Sequence, residues 1–358
     1  MTERGRGMKS TKSIRYHIFH PAVNSVNALD SIQELMLDRS GEIVEKFGFV
    51  WCDNPREADY LIASNWIYYE KEMFDEFMAC MEDEKVIRIF DGTECCLPDL
   101  NIFDYGDTLY SGVIYGDRVI QKPIFLYYTY SVNPLKTVNE IKSTLEATDV
   151  LRRKDKMKFC NFIYHNSKAH PRRDEIYFDL SKYKHIDSLG VHLCNVTLEE
   201  SGIKRRNDVD WYMGSVLAKR PYKFSIAAEN ATAPGYTTEK IITSLMAHTV
   251  PIYWGNPEVS NIINPNCYID ANKFMKKEDL IAEVKKVDND DMLWCKMISE
   301  SWRTEEQVKA SDVHLQRYQE WWCNIFSQEL VHAKRRGVGY HPGLYEKWFR
   351  GEDFDWRA

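Results

Sequence analysis

Residues 222–254 read YKFSIAAENATAPGYTTEKIITSLMAHTVPIYW, the pattern of a strand, a polar loop, a helix and a second strand. Apolar, β-prone runs flank a segment in which Ile241, Ile242, Leu245 and Met246 recur at helical spacing. Strands joined through a helix predict a βαβ unit and a parallel sheet. Such sheets bind ligands at the carboxyl ends of their strands, where loops lead into helix N-termini. The loop here holds Glu229, Asn230, Gly235 and Tyr236, and the helix opens at Thr237 or Thr238, with Glu239 and Lys240 in its first turn. A capped helix start after a glycine-containing loop offers backbone N–H groups and a positive dipole end, a seat for phosphate. Lys240 adds a full positive charge, whereas Glu239 would repel a phosphate. A carboxylate beside a lysine suits a ligand that joins phosphates to a sugar. The competing reading is a solvated first turn favoured by the helix dipole.

The same alternation runs through the first half, with strands predicted at 15–20, 49–52, 60–63 and 86–90 and helices at 30–39 and 69–81. Residues 91–130 have little clear periodicity, and long irregular segments inside compact domains are usually functional. A helix predicted over 138–155 ends in a charge cluster, where the domain boundary is placed. A second series follows: strand 157–164, helices 174–182 and 210–219, strand Tyr222–Ala228, helix 238–248, strand Val250–Trp254, and helices 276–287 and 305–334. The expected class is α/β, with two doubly wound, Rossmann-like domains (1–155 and 156–358) facing across a cleft and the final helices free to pack back on the first.

At 358 residues the chain is long enough for two domains of about 100–200 residues. Its net charge of −7 supplies no global basic field and argues against a nucleic-acid partner. No run approaches the roughly 18 apolar residues that span a bilayer, and no apolar stretch follows the charged amino terminus as in a signal peptide. Nine scattered cysteines without CxxC pairs predict reduced thiols. A glycan at the Asn230 sequon would block the loop; a second sequon lies at Asn195. Together these predict a cytoplasmic protein without a transmembrane segment, at most peripheral to the inner face of a membrane. Aromatic residues reach 13%, which fits either large aromatic cores or exposed rings that meet sugars.

Residues 222–270 resemble the donor-binding signature of the α1,3/4-fucosyltransferases, glycosyltransferase family 10, and most of all its bacterial branch. The resemblance rests on Tyr222-Lys223-Phe224, Glu229-Asn230, Gly235-Tyr236, Thr238-Glu239-Lys240-Ile241-Ile242 and the run from His248 to Gly255. Phe90-Asp91-Gly92-Thr93-Glu94 and the run from Pro98 to Tyr105 look like the family's acidic loop and following strand. Residues 162–180 resemble its strand, loop and arginine-bearing helix. Ala228 departs from the family, where an aromatic residue is common before the glutamate.

The resemblance implies a GT-B fold and inverting transfer of L-fucose from GDP-β-L-fucose to the 3- (or 4-) hydroxyl of GlcNAc or Glc, in N-acetyllactosamine-type or type-1 acceptors. It makes Glu94 the general base. It places a phosphate-contacting arginine at Arg173 or, one position off, Arg172, with Arg173 preferred by the spacing of Ile176, Tyr177 and Leu180. Lys240 would meet the diphosphate and Glu239 the fucose hydroxyls. Asn230 and Tyr236 would bond sugar or phosphates, Glu229 the ribose or its own loop, and Lys223 either ligand or solvent. No metal or other cofactor is implied. Asp-x-Asp triplets at 208/210, 288/290 and 353/355 are expected by chance in an acidic chain, and His165 and His170 flank the donor loop without metal-ligand spacing. Aromatic residues between Phe103 and Tyr130 are expected to meet the acceptor sugar.

Overall fold

The computed structural model describes residues 12–80, 85–94, 96–100, 102–111, 117–123, 126, 158–196 and 211–330. The chain divides into two compact units, Met1–Lys122 with Leu315–Ala358, and Pro123–His314. The boundary expected near residue 155, the helix expected over 138–155 and the triplets at 208/210 and 353/355 lie outside the described residues.

The first unit is built on a six-stranded, all-parallel sheet of β1 (Ser13–Phe19), β2 (Gly48–Trp51), β3 (Tyr60–Ser64), β4 (Ile87–Asp91), β5 (Tyr105–Thr108) and β6 (Val119–Gln121), ordered 2-1-3-4-5-6. Strands β3 and β4 are buried along their whole length, as parallel strands covered on both faces must be. Three helices accompany them: α1 (Ala28–Leu35), α2 (Glu42–Lys46) and α3 (Lys71–Ala79). Phe74 and Phe77 of α3 pack with Phe19, Leu61, Phe90 and Phe103 in one apolar cluster.

Strands β5 and β6 correct the expectation of an irregular segment over 91–130. They are only four and three residues long, too short to show a period, and β5 carries Gly106 and Asp107. Phe103 and Tyr105 are buried beside this sheet, which removes those two from the aromatic residues expected to meet a sugar.

The second unit holds a five-stranded parallel sheet, ordered 11-10-9-7-8, of β7 (Lys158–Phe162), β8 (Ile186–Ser188), β9 (Tyr222–Ala228), β10 (Val250–Trp254) and β11 (Ile269–Asp270). Its helices are α4 (Arg172–Ser181), α5 (Trp211–Lys219), α6 (Glu239–Met246), α7 (Lys277–Asn289) and α8 (Asp291–Ser299). Ile241, Ile242, Leu245 and Met246 of α6 are all buried, as their spacing requires. Helix α8 was not expected; Asp290 caps it by accepting from the Leu293 N–H at 3.0 Å.

A final helix, α9 (Glu305–Ser327), brings its later residues into the first unit. There Gln319 donates to the Leu37 carbonyl at 2.8 Å and the Trp321 indole to the Asp117 carbonyl at 2.8 Å. The Phe326 ring meets those of Phe49 and Tyr60 edge-on, each at 5.2 Å. No helix among the described residues is long and apolar enough to cross a membrane.

Candidate functional site

In the second unit the residues singled out by sequence gather at the carboxyl ends of three adjacent strands, β7, β9 and β10. Strand β9 ends in Glu229, which is fully buried and takes the start of α6 in hand. Thr238 donates to it twice, from its backbone N–H (2.7 Å) and its hydroxyl (2.6 Å). Lys240 donates to the Thr238 hydroxyl at 2.9 Å and lies 3.2 Å from both the Glu229 and the Glu239 carboxylates. Gly255 makes room for this: its φ is +151°, and a Cβ there would sit 2.4 Å from the Glu229 side chain. Glu229 thus ties the end of β9 to the start of α6.

The cluster is therefore not a bare positive seat. Burial alone would lower the proton affinity of Lys240, but Glu239 and Glu229 together hold it well above the ordinary lysine range. Burial pushes Glu229 upward, more than Lys240 and Thr238 draw it down. Burial opposes ionisation of Glu239 too, yet Lys240, Thr238 and its own backbone N–H leave it below the usual carboxylate range. The result is a Glu239–Lys240 ion pair at the helix start, backed by the Glu229 carboxyl, whose pKa burial raises.

Strand β7 leads through a loop into α4, and Arg173 turns inward from its first turn, only 1% exposed. Its guanidinium lies over the Tyr164 ring at 4.5 Å, donates to the Asn166 carbonyl at 2.8 Å and reaches the Asn230 side chain at 3.4 Å. Arg172 points elsewhere, donating to the Phe274 carbonyl at 3.1 Å and pairing with Glu175. The backbone N–H of His170 donates to the Asn230 carbonyl at 2.8 Å, and its ring lies 4.8 Å from that of Trp254; His165 is exposed in the same loop.

Lys223 is not brought to this group. It stands at the opposite end of β9, donating to the Asp288 carboxylate (2.9 Å) and carbonyl (2.7 Å). Strand direction is the reason: the rest of β9, residues 224–228, separates it from the loop, so its part is to bind Asp288, and the 288/290 triplet is spent on this pair and on the α8 cap. Tyr236 is buried in the loop before α6. Conversely, sequence reading missed Tyr164 and Asn256. The Tyr164 hydroxyl accepts the Ala228 N–H at 2.7 Å, where the small Ala228 lies fully buried. Asn256 accepts from Gly235 N–H (2.9 Å) and donates to the Thr237 hydroxyl (2.9 Å), fixing the loop before α6. Its signal was the Gly-Asn-Pro turn after β10.

In the first unit Glu94 is exposed on the loop after β4. Behind that loop Lys122, Asp91 and Asp107 form a buried charge network: Lys122 donates to Asp91 and lies 3.7 Å from Asp107. Asp107 accepts the Gly92 N–H at 2.5 Å and meets the Tyr318 hydroxyl of α9 at 2.6 Å. A Cβ on Gly92 would come within 2.7 Å of the Asp107 carbonyl, so the loop is seated directly on β5. Burial pushes Asp107 up to about 6, against the pull of Lys122. Among the described residues no group of three or more His, Cys, Asp or Glu side chains is arranged to hold a metal ion.

Comparison with known proteins places this geometry. An α-(1,3)-fucosyltransferase of Helicobacter pylori is 26% identical over 266 residues, 67% of this chain and 51% of that protein. A GDP-fucose protein O-fucosyltransferase 3 of Xenopus laevis is 30% identical over 194 residues, 53% of this chain and 40% of that protein. The chain thus spans about half or less of the length of these curated relatives, which are bacterial and vertebrate alike. A crystal structure of an α1,3-fucosyltransferase with GDP-fucose superposes with a TM-score of 0.63 at 18% identity, covering 90% of this chain and 93% of that one. At that identity the likeness is one of fold, the GT-B architecture of Rossmann-like units. Residues 151–340, more than half of the chain and the whole of the β7–β11 sheet with its Glu229, Arg173 and Lys240 cluster, match the model of glycosyltransferase family 10 (fucosyltransferase), C-terminal part, and the chain belongs to that family.

Proposed function

We propose that the protein is a fucosyltransferase that moves L-fucose from GDP-β-L-fucose, with inversion, to the 3- (or 4-) hydroxyl of GlcNAc or Glc in N-acetyllactosamine-type or type-1 oligosaccharides. The observation that carries the reading is the Glu239–Lys240 pair at the start of α6, beside Asn230 and Arg173, within the family-matched segment. The pair offers a cation to phosphate and a carboxylate to sugar hydroxyls at one helix N-terminus.

Inversion is a single in-line displacement in which the acceptor oxygen forms its bond to the anomeric carbon as GDP departs. Glu94 takes the proton of the acceptor hydroxyl, a step worth about 10²–10⁴ in rate. Lys240 and Arg173 meet the negative charge that develops on the leaving diphosphate. Arg173 does so from behind Asn230, whose side chain it holds. Glu239 holds fucose hydroxyls and lies near the positive charge that the sugar ring acquires, as in glycoside cleavage. These two cations take the part that a divalent metal plays in other transferases, so chelation of metals should leave the rate unchanged. The products would be Lewis-type glycans, as in the family's bacterial branch, made in the cytoplasm.

The likeness to a protein O-fucosyltransferase favours a second reading, in which the acceptor is a protein hydroxyl. GDP release from GDP-fucose is measured with N-acetyllactosamine, a type-1 disaccharide and a serine- or threonine-bearing protein domain in turn. Turnover with a disaccharide is the expected result; turnover with the protein alone establishes the second reading. Silence with GDP-fucose, with turnover of another nucleotide sugar, overturns both.

A further inference from the structure

The loops at the carboxyl ends of β1 and β3 carry an aromatic surface that the donor chemistry does not use. The turn Asn65–Tyr68 follows β3 and sets Trp66 42% and Tyr69 71% exposed, their ring centroids 6.0 Å apart. His20, just past β1, meets Trp66 edge-on at 6.0 Å. Beside them opens a cleft of about 440 Å³, within the roughly 300–1,000 Å³ range of small-ligand sites. His17, His20, Glu70, Glu72, Met73 and Glu76 are among its lining residues, and among the described residues no lysine or arginine lines it.

The polar groups of this cleft are complementary in kind. The His17 Nδ1 must donate to the Cys52 carbonyl (2.8 Å), because a carbonyl only accepts, which leaves Nε2 an acceptor in the neutral ring. The His20 Nδ1 must accept the Ala22 N–H (3.2 Å), which leaves Nε2–H a donor. Burial lowers the proton affinity of both rings, the neighbouring carboxylates notwithstanding, so both are neutral at pH 7. A donor, an acceptor and several carboxylates beside exposed ring faces suit a ligand rich in hydroxyls and repel an anion. The surface is also joined to the loop of the expected base, since the Thr93 hydroxyl donates to the side chain of Asn65, the residue before Trp66.

We propose that Trp66, Tyr69 and His20, with the adjoining cleft, form a subsite that binds a neutral saccharide residue of the acceptor. The inference rests on the fucosyltransferase reading and deepens it by naming where the first unit holds the sugar. It moves the acceptor contact from the stretch containing the buried Phe103 and Tyr105 to the loops after β1 and β3.

The test compares Trp66→Ala, Tyr69→Ala and Trp66→Phe with the wild type in steady-state transfer to N-acetyllactosamine, with GDP affinity measured by calorimetry to show that each variant is folded. Each alanine variant should raise the acceptor KM at least about tenfold, with the GDP Kd unchanged and Trp66→Phe restoring part of the loss. An unchanged acceptor KM in both folded alanine variants overturns the subsite. So does a rise seen only with a protein acceptor, which would make the surface a protein-docking face. If the wild type transfers nothing from GDP-fucose, the activity reading fails separately. Saturation-transfer NMR with the free disaccharide then decides the subsite: signals lost in Trp66→Ala support it, and signals retained there or absent in the wild type overturn it.

Discussion

The two units handle their charged groups in opposite ways. In the second, the residues expected to act are themselves the paired ones: Lys240 lies between Glu229 and Glu239, and Arg173 is covered by Asn166 and Asn230. In the first, Glu94 is exposed, and a buried network of Lys122, Asp91, Asp107 and Tyr318 lies behind its loop. The difference fits the roles proposed for the two groups. A cation that stabilises departing phosphate works best preorganised, with its direction already fixed by neighbours. A general base must reach a hydroxyl that arrives from solvent, so rigidity is supplied to its loop through the Gly92 N–H.

The sharpest way to break this contrast is Glu94→Gln, which keeps the shape of the loop and removes the base. It should lower kcat by about 10²–10⁴ with the GDP Kd unchanged, and near-wild-type turnover would remove Glu94 from the chemistry. Next comes the pair Arg173→Lys and Arg172→Lys. A lysine cannot reproduce a planar guanidinium that lies on Tyr164 while donating to Asn166, so Arg173→Lys should raise the GDP-fucose KM about tenfold. Arg172→Lys should change it little, and the reverse order would reassign the phosphate contact.

The smallest effect concerns Lys219, a buried residue of α5 that donates to the Thr243 (2.6 Å) and Ser244 (3.1 Å) hydroxyls of α6. Burial lowers its pKa to about 7, far below the ordinary lysine range. Between that value and the ordinary range the unfolded chain binds more protons than the folded one, so this group makes stability rise with pH through that window. Lys219→Met should flatten the rise, read as the urea midpoint from pH 6.5 to 9, and should be the more stable protein below pH 7. Parallel curves for the two proteins would show that Lys219 titrates normally.

The βαβ unit over residues 222–254 was fully legible because strand propensity, loop residues and helical period agree there, and its two strands fall on the expected bounds. Glu229, Asn230, Glu239 and Lys240 were legible for the same reason: a loop and the helix start after it are neighbours in the chain. Lys223 was misplaced because a motif records order along the chain, whereas the strand carries the two ends of that motif to opposite edges of the sheet. Strands β5 and β6 escaped the reading of periodicity because pairing, of β5 with β4 and of β6 with β5, rather than local composition makes them strands.

Local pattern was enough to indicate that the chain forms parallel βα units and that Glu239 and Lys240 stand together in the first turn of α6. It could not show that Tyr318 meets Asp107 across 211 residues of chain, that Tyr164 carries Arg173, or that Asp288 claims Lys223. Periodicity and propensity act over one or two turns of chain. The partner of a buried charge is chosen by which elements the sheet order brings together, and only the folded arrangement supplies that choice.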